Sequence, residues 1–210
     1  MKNVINFTCI VLFMTCSYLV NAQIPEKEKQ YLIDFNKSTV GEQWQRKWDL
    51  KSDPATWHGV EVANGHVVGL KLYRNNLTGA IPDGISALSH LKSLNLAFNV
   101  IEGELPKDLF SLQKLSSLRL EMNKISGTLP QDFSKMAALE ELSMFNNLFQ
   151  GEIPDGIGEI SNLKILNLSS NYLEGSLPKS LEKLEKLERL ELFGNKLAGA
   201  IEVDLGRLVN

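Results

Sequence analysis

Apolar and polar residues recur along most of the chain with a period of 24 residues. From about Val67 onward an asparagine marks each period, and an apolar residue and a glycine follow it two and four positions later. Two apolar core-type residues, separated by one position, precede each asparagine. The asparagines are Asn75, Asn99, Asn123, Asn147, Asn171 and Asn195. Six copies without an insertion predict an array of stacked repeats.

Each copy predicts a short strand followed by a bend. Alternating apolar residues, such as Leu142 and Met144 in the fourth copy, are typical of a strand with one buried face. One coil cannot bury these residues alone, but stacked coils form a continuous core. We expect each asparagine amide to bond to the backbone of its own and neighbouring coils, which gives it a structural role. The later glycine permits a tight turn, and prolines such as Pro82 fix the outer side.

The repeat resembles the plant-type leucine-rich repeat, written LxxLxLxxNxLxGxIPxxLxxLxx. The fourth copy carries this pattern from Leu139 to Pro154, and the resemblance extends over residues 67–208. It implies a right-handed α/β solenoid with a parallel β-sheet on the concave face. The convex side should consist of irregular or 3₁₀ turns, and a short helical N-terminal cap should precede the repeats.

Residues 23–66 do not repeat and are interpreted as that cap. Pro25 followed by acidic residues predicts a short amphipathic helix. All three tryptophans follow within 14 residues, at positions 44, 48 and 57. We expect them to cover the open end of the leucine core, and a sugar-binding cluster is the alternative. The plant-type cap carries two cysteines where this chain has Ala55 and Val62, which favours a bacterial exported member of the family.

The first 22 residues have the composition of a secretory signal peptide. Lys2 is their only charged residue, an apolar stretch runs from about Cys9 to Val20, and Ala22 ends a small-residue cleavage site. Lipid attachment at Cys16 is the alternative. We expect a secreted, periplasmic or cell-surface protein whose mature chain has no transmembrane segment.

Residues 67–210 are assigned to six repeats that end without a clear C-terminal cap. In the sixth copy Glu202 stands where proline is expected, and the apolar spacing continues only to Leu208. An uncapped coil would leave apolar residues at an open edge, so a homo-oligomer formed through this end is one expectation. A truncated chain would end in the same way.

Charge and motif content narrow the function classes. The chain has 25 acidic and 22 basic residues and a net charge of -3, which argues against a nucleic-acid-binding protein. Its 43% hydrophobic content argues against disorder. His58, His66 and His90 lack metal-ligand spacing, and no catalytic or nucleotide-binding motif occurs. We therefore expect no metal, no cofactor and no enzymatic activity.

The solvent side of the predicted sheet is the candidate functional surface. Four outward positions in six strands give 24 residues, and a protein interface uses about 20–30 residues a side. Exposed aromatic residues and arginines are enriched at binding hot spots. The candidate partner-binding residues are Tyr73, Arg74, Phe98, Arg119, Met122, Phe145, Arg189 and Phe193.

These residues predict a recognition module that binds a protein or peptide on the concave face. Plant-type repeat proteins serve as receptor ectodomains and as inhibitors of foreign enzymes, so the resemblance implies a similar role. A glycan is the alternative ligand, because exposed aromatic rings also bind sugars. A self-associating structural or adhesion protein of the cell surface is the other alternative.

Overall fold

A computed structural model describes residues 24–199 and 203–204, so the predicted signal peptide and the end beyond residue 204 lie outside the described residues. One helix, α1 (Glu26–Ser38), precedes thirteen strands in this part of the chain. The strands are β1 (Val60–Ala63), β2 (His66–Lys71), β3 (Thr78–Gly79), β4 (Ser93–Asn95), β5 (Val100–Glu104), β6 (Ser117–Arg119), β7 (Lys124–Thr128), β8 (Glu141–Ser143), β9 (Leu148–Glu152), β10 (Ile165–Asn167), β11 (Tyr172–Gly175), β12 (Arg189–Glu191) and β13 (Lys196–Leu197).

The strands form two sheets because each coil contributes one strand to each sheet. The concave sheet has the order β1-β2-β4-β6-β8-β10-β12 and is parallel from β2 onward. Its register joins equivalent residues of successive coils, as where Leu118 pairs with Leu142. These strands confirm the predicted α/β solenoid with a parallel concave sheet. The coils are numbered one to six from β2.

A second parallel sheet, β13-β11-β9-β7-β5-β3, follows the asparagine of each coil. The leucine spacing did not predict it, because its strands combine polar residues with glycine. Gly127 has a φ of 91°, and a Cβ there would lie 2.9 Å from the side chain of Glu104 in the preceding coil. Short 3₁₀ turns such as Lys107–Ser111 and Asp155–Glu159 then cross the convex side, as expected.

The cap covers the first coil with aromatic rings. Trp44, Trp48 and Trp57 are all buried, and each indole N–H donates to an acceptor within the cap. Trp48 lies edge-on to Trp44 and stacks on Trp57, with ring centroids 4.9 and 4.8 Å apart. Tyr31 and Phe35 of α1 belong to the same core. The three tryptophans share one buried core with Val67 and Leu70 of the first coil, which supports their expected place at its end.

The cap also supplies an edge strand that the sequence analysis did not predict. β1 pairs antiparallel with β2, and the turn between them consists of Asn64 and Gly65. Both residues have positive φ, at 51° and 74°, which is the geometry that an Asn-Gly hairpin favours. The Asn-Gly pair is therefore the feature of the sequence from which this hairpin could have been predicted.

The six asparagines form a ladder that ties each coil to the one before it. The Asn123 side chain donates to the carbonyl oxygens of Leu96 and Leu120, both at 3.0 Å, and accepts from the Ile101 N–H at 3.0 Å. The other repeats use the same pattern. At the first coil the cap replaces the missing coil, because Asn75 accepts from the Arg46 N–H at 2.7 Å. This confirms the structural role predicted for the asparagines.

Replacing Asn123 with alanine should lower the free energy of unfolding by about 3 kcal/mol, because buried backbone groups of two coils lose their partner. Chemical denaturation of the purified chain measures this change. Asn162→Ala is the matched control, since the hydrogen bonds of Asn162 to Ala137 and Lys186 are exposed. Equal losses in the two variants would contradict a ladder that holds the coils together.

Candidate binding surface

One column of the concave sheet has a left-handed backbone in every coil. It consists of the residue immediately before each ladder asparagine, namely Arg74, Phe98, Met122, Asn146, Ser170 and Gly194. The φ angles of these residues lie between 50° and 69°. In coils one to five the N–H groups of these residues donate to the next coil, as from Phe98 to the Glu121 carbonyl oxygen at 2.8 Å, so the stacking holds the conformation in place there. We call this set the left-handed column.

Three of the predicted binding residues form a cluster at the cap end of the concave sheet. The rings of Tyr73 and Phe98 meet edge to face, with centroids 5.2 Å apart and planes at 64°. The Arg74 guanidinium lies 5.7 Å from the first ring centroid and 5.4 Å from the second. Tyr73 is 43% exposed and Arg74 is also exposed. We call this group the Tyr73 cluster.

Arg119 lies in the middle of the concave sheet and holds a buried carboxylate. Its guanidinium donates to Glu121 Oε1 from Nε at 3.0 Å and from Nη2 at 2.6 Å, and its Nε lies 3.6 Å from Glu141. Burial opposes the charge of Arg119, but the hydrogen bonds and charge of Glu121 outweigh it and raise the pKa of the guanidinium. The other carboxylate oxygen of Glu121 has no hydrogen-bond partner.

Five positions that were expected to face solvent are buried instead. Gly69 is one of them, and Ala97, Glu121, Ser143 and Ser169 are each at most 7% exposed. Small side chains on this face lie below the level of their larger neighbours, and Glu121 is held by Arg119. The expectation of 24 outward residues is therefore wrong for these positions, and the accessible surface is smaller than predicted.

The remaining predicted residues lie between the middle and the far end of the concave sheet. Met122 is 36% exposed and its sulfur accepts from the Asn146 amide at 2.8 Å, while Phe145 is partly exposed. Phe193 in the last coil is 69% exposed. Arg189 is exposed there as well and lies 3.9 Å from Glu191. Tyr73, Phe145 and Phe193 share one column of the sheet, but two or three coils separate them.

The second sheet and the convex side also expose apolar side chains in the described part of the chain. On the second sheet Leu148 is 42% exposed and Tyr172 is 50% exposed, with the Lys196 ammonium 5.4 Å from the tyrosine ring centroid. A groove of about 410 Å³ on the convex side is lined in part by Leu105 and Phe110. None of the helices in residues 24–199 is long and apolar enough to cross a bilayer.

A group of metal-ligand side chains lies where the cap meets the repeats. Glu28 of α1, His66 of β2 and His90 of the second coil each place a ligand atom within 4.8 Å of the others. Desolvation lowers the pKa of His90, and the neighbouring His66 lowers it further. No local spacing joins positions 28, 66 and 90, so the sequence search for metal-ligand patterns did not find this group.

The matching protein family and the similar solved structures agree with each other. The family described as "Leucine-rich repeat region" matches residues 66–204. The solved ectodomain of the Arabidopsis thaliana receptor kinase GASSHO1/SCHENGEN3, in complex with CASPARIAN STRIP INTEGRITY FACTOR 2, is similar with a TM-score of 0.81 and 27% identity over 86% of this chain. The Arabidopsis receptor kinase HAESA, in complex with the peptide hormone IDA and the co-receptor SERK1, gives a TM-score of 0.78 and 28% identity over 88%.

The lengths of these relatives differ from that of this chain. The similarity covers 22% of the GASSHO1/SCHENGEN3 chain and 32% of the HAESA chain, so this chain spans about a fifth to a third of the length of those chains. A chain of the Arabidopsis BIR3–SERK2 complex is closer in size, with 96% of it covered, a TM-score of 0.68 and 26% identity over 83% of this chain. A search of curated proteins finds no match.

Replacing Arg119 with methionine should lower the free energy of unfolding by about 2 kcal/mol, because the buried Glu121 carboxylate loses two charge-assisted hydrogen bonds. Arg189→Met is the matched control. Its side chain is 63% exposed and its contact with Glu191 is long, so the change should be within about 0.5 kcal/mol. Urea denaturation at neutral pH measures the free energy of unfolding of the two variants. An equal decrease in both would contradict a stabilising role of Arg119 through the buried Glu121 carboxylate.

Proposed function

Because the chain belongs to the leucine-rich repeat family, we propose that it is an exported recognition module that binds a peptide or protein partner on its concave face and catalyses no reaction. The observation that carries this proposal is the Tyr73 cluster, which places two aromatic rings and a guanidinium together on an accessible sheet. Aromatic residues and arginine are the types that dominate binding energy at protein interfaces.

The left-handed column supports a binding centre in the first three coils. A bulky residue with positive φ is unfavourable by roughly 1–2 kcal/mol, whereas glycine and asparagine adopt this conformation readily. Coils four to six carry Asn146, Ser170 and Gly194 in the column, but coils one to three carry Arg74, Phe98 and Met122. Large side chains held in a strained backbone are typical of functional sites. We therefore assign the contact centre to the Tyr73 cluster and Met122.

The arrangement of the Tyr73 cluster favours a peptide over a glycan. A sugar ring stacks on an open aromatic face, but here the two rings meet edge to face and Arg74 lies close to both. Arg74 instead offers hydrogen-bond donors beside an apolar surface, which suits a backbone carbonyl or a carboxylate of a partner. Glycan binding remains the alternative outcome of the experiment below.

The size of the sheet limits the partner. Six strands at about 4.8 Å spacing span about 24 Å, which an extended peptide covers with roughly seven residues. The HAESA structure contains a peptide hormone, which supports a peptide ligand here. The similarity in length to a chain of the BIR3–SERK2 complex supports a partner of protein size as the other possibility.

We further propose that the protein is a bacterial member of the family that is exported from the cytoplasm. The leader-like composition of residues 1–22 and the cysteine-free cap support this placement. Phe145, Arg189 and Phe193 are assigned to the outer part of the same interface. Self-association through the last coil would involve Leu205 and Leu208, which lie outside the described residues.

Selection of a phage-displayed library of linear peptides on the immobilised chain tests the proposed site. Enriched peptides should bind the Tyr73→Ala/Phe98→Ala variant about tenfold or more weakly, because two aromatic contacts are lost. Fluorescence anisotropy of the labelled peptides measures the dissociation constants. Thermal melting should show little change, because Tyr73 is exposed and Phe98 is partly exposed.

Tyr172→Ala is the matched control, since Tyr172 is an exposed tyrosine on the second sheet. Peptide affinity should be unchanged in this variant. Failure to enrich any peptide, or equal binding by the concave variant, would contradict the proposal. A parallel glycan array on which only sugars bind, with loss in the concave variant, would keep the site but replace the ligand class.

A further inference from the structure

Three separate elements bring potential metal ligands together at the junction of cap and repeats. Glu28 lies in the first turn of α1, His66 begins β2, and His90 lies in the turn that precedes β4. One ligand atom of each residue lies within 4.8 Å of those of the other two. This junction is separate from the Tyr73 cluster and takes no part in the binding site proposed above.

The Glu28 carboxylate is held in a fixed orientation that directs one oxygen toward the histidines. Its side chain is fully buried, and Oε2 accepts from the Val67 N–H at 2.7 Å. Oε1 lies 2.6 Å from His66 Nδ1. A buried carboxylate is stable only when positive or donor groups compensate its charge. The oxygen facing His66 therefore occupies a position suited to a shared proton or to a cation.

We propose that Glu28, His66 and His90 bind one divalent transition-metal ion, with Zn²⁺ as the best match to the ligand set. Two histidines and one glutamate are an established zinc combination, with the fourth position open to water. The ion replaces the proton between Glu28 Oε1 and His66 Nδ1. With metal–ligand bonds of about 2.1 Å, the distance between these atoms lengthens to roughly 3.4 Å.

His90 supplies the third ligand after a rotation of its ring. The two imidazole rings now stack, with centroids 3.8 Å apart and planes at 16°, so the nitrogen lone pairs of the two rings lie in separate, nearly parallel planes. One ion can meet both lone pairs only when one ring turns. His90 is partly exposed and lies in a turn, so its ring can rotate without moving the backbone, whereas Glu28 holds His66.

The Glu28–His66 hydrogen bond alone would attach α1 to the first coil. That attachment does not require the His90 ring that stacks on His66. A bound ion gives the His90 ring a role, because it becomes the third ligand. The ion would join the cap helix to coils one and two. Residues 24–210 contain no cysteine, so a metal would supply this part of the chain with a cross-link that a disulfide cannot provide.

Isothermal titration calorimetry with ZnCl₂ tests the site in the purified chain. We expect one zinc ion per chain, and a dissociation constant about tenfold or more higher in His90→Asn, because one ligand is lost. His58→Asn is the matched control. The main-chain carbonyl of His58 accepts the Trp48 indole N–H, and this hydrogen bond does not depend on the imidazole that the substitution removes. Cys9 and Cys16 are common to all three proteins, so binding by these thiols would persist in His90→Asn.

Side-chain NMR of the chain labelled with ¹⁵N-histidine identifies the ligands directly. Zinc should shift the imidazole signals of His66 and His90 and leave those of His58 unchanged. Circular dichroism of His90→Asn checks that this partly exposed substitution leaves the fold intact. The proposal is overturned by an absence of zinc binding, by equal affinity in His90→Asn, or by unshifted His66 and His90 signals in the presence of zinc.

Discussion

The structure depends on one repeated constraint, which is that no coil can satisfy its buried backbone without the coil next to it. From the second coil onward, each ladder asparagine donates to a carbonyl of its own coil and to one of the preceding coil, and it also accepts from an N–H of the preceding coil. An unpaired buried backbone group is unfavourable by about 1–3 kcal/mol. The ladder therefore fixes the register of the leucine core, and the cap segment at Arg46 is needed to complete it at the first coil.

The same stacking determines what the concave face can present. In coils one to five the residue before each asparagine is held in the left-handed region by a hydrogen bond to the next coil, so its side chain has a fixed place after the strand. Arg74 and Phe98 use that place to meet Tyr73, and the fold supplies the rigidity that a binding site requires. The Nε and Nη2 groups of Arg119 donate to the buried Glu121 carboxylate. Arg119 can therefore contact a partner only through its other guanidinium N–H groups.

Most of the fold could be predicted from the sequence because the period is short and unbroken. The leucine spacing and the asparagine each have one physical explanation, and the structure agrees with both. The tryptophans had two, and their burial supports the one that places them against the leucine core. The second sheet was missed because Gly103 and Gly127 suggest turns rather than strands, and the burial of Ala97 and Glu121 depends on neighbours in other coils. The Glu28–His66–His90 group was missed for the same reason, since contacts between a helix and two coils leave no local spacing.

Amide hydrogen exchange of the N–H groups that the ladder accepts is the most direct test of this account. The N–H groups of Ile101, Ile125 and Phe149 donate to the asparagine of the next coil at 3.0, 3.0 and 3.1 Å. They should exchange only through global unfolding, with protection equal to that of the central core strands. Exchange of these amides at the rate of the exposed convex turns, while the core strands stay protected, would contradict a solenoid held together by its asparagines.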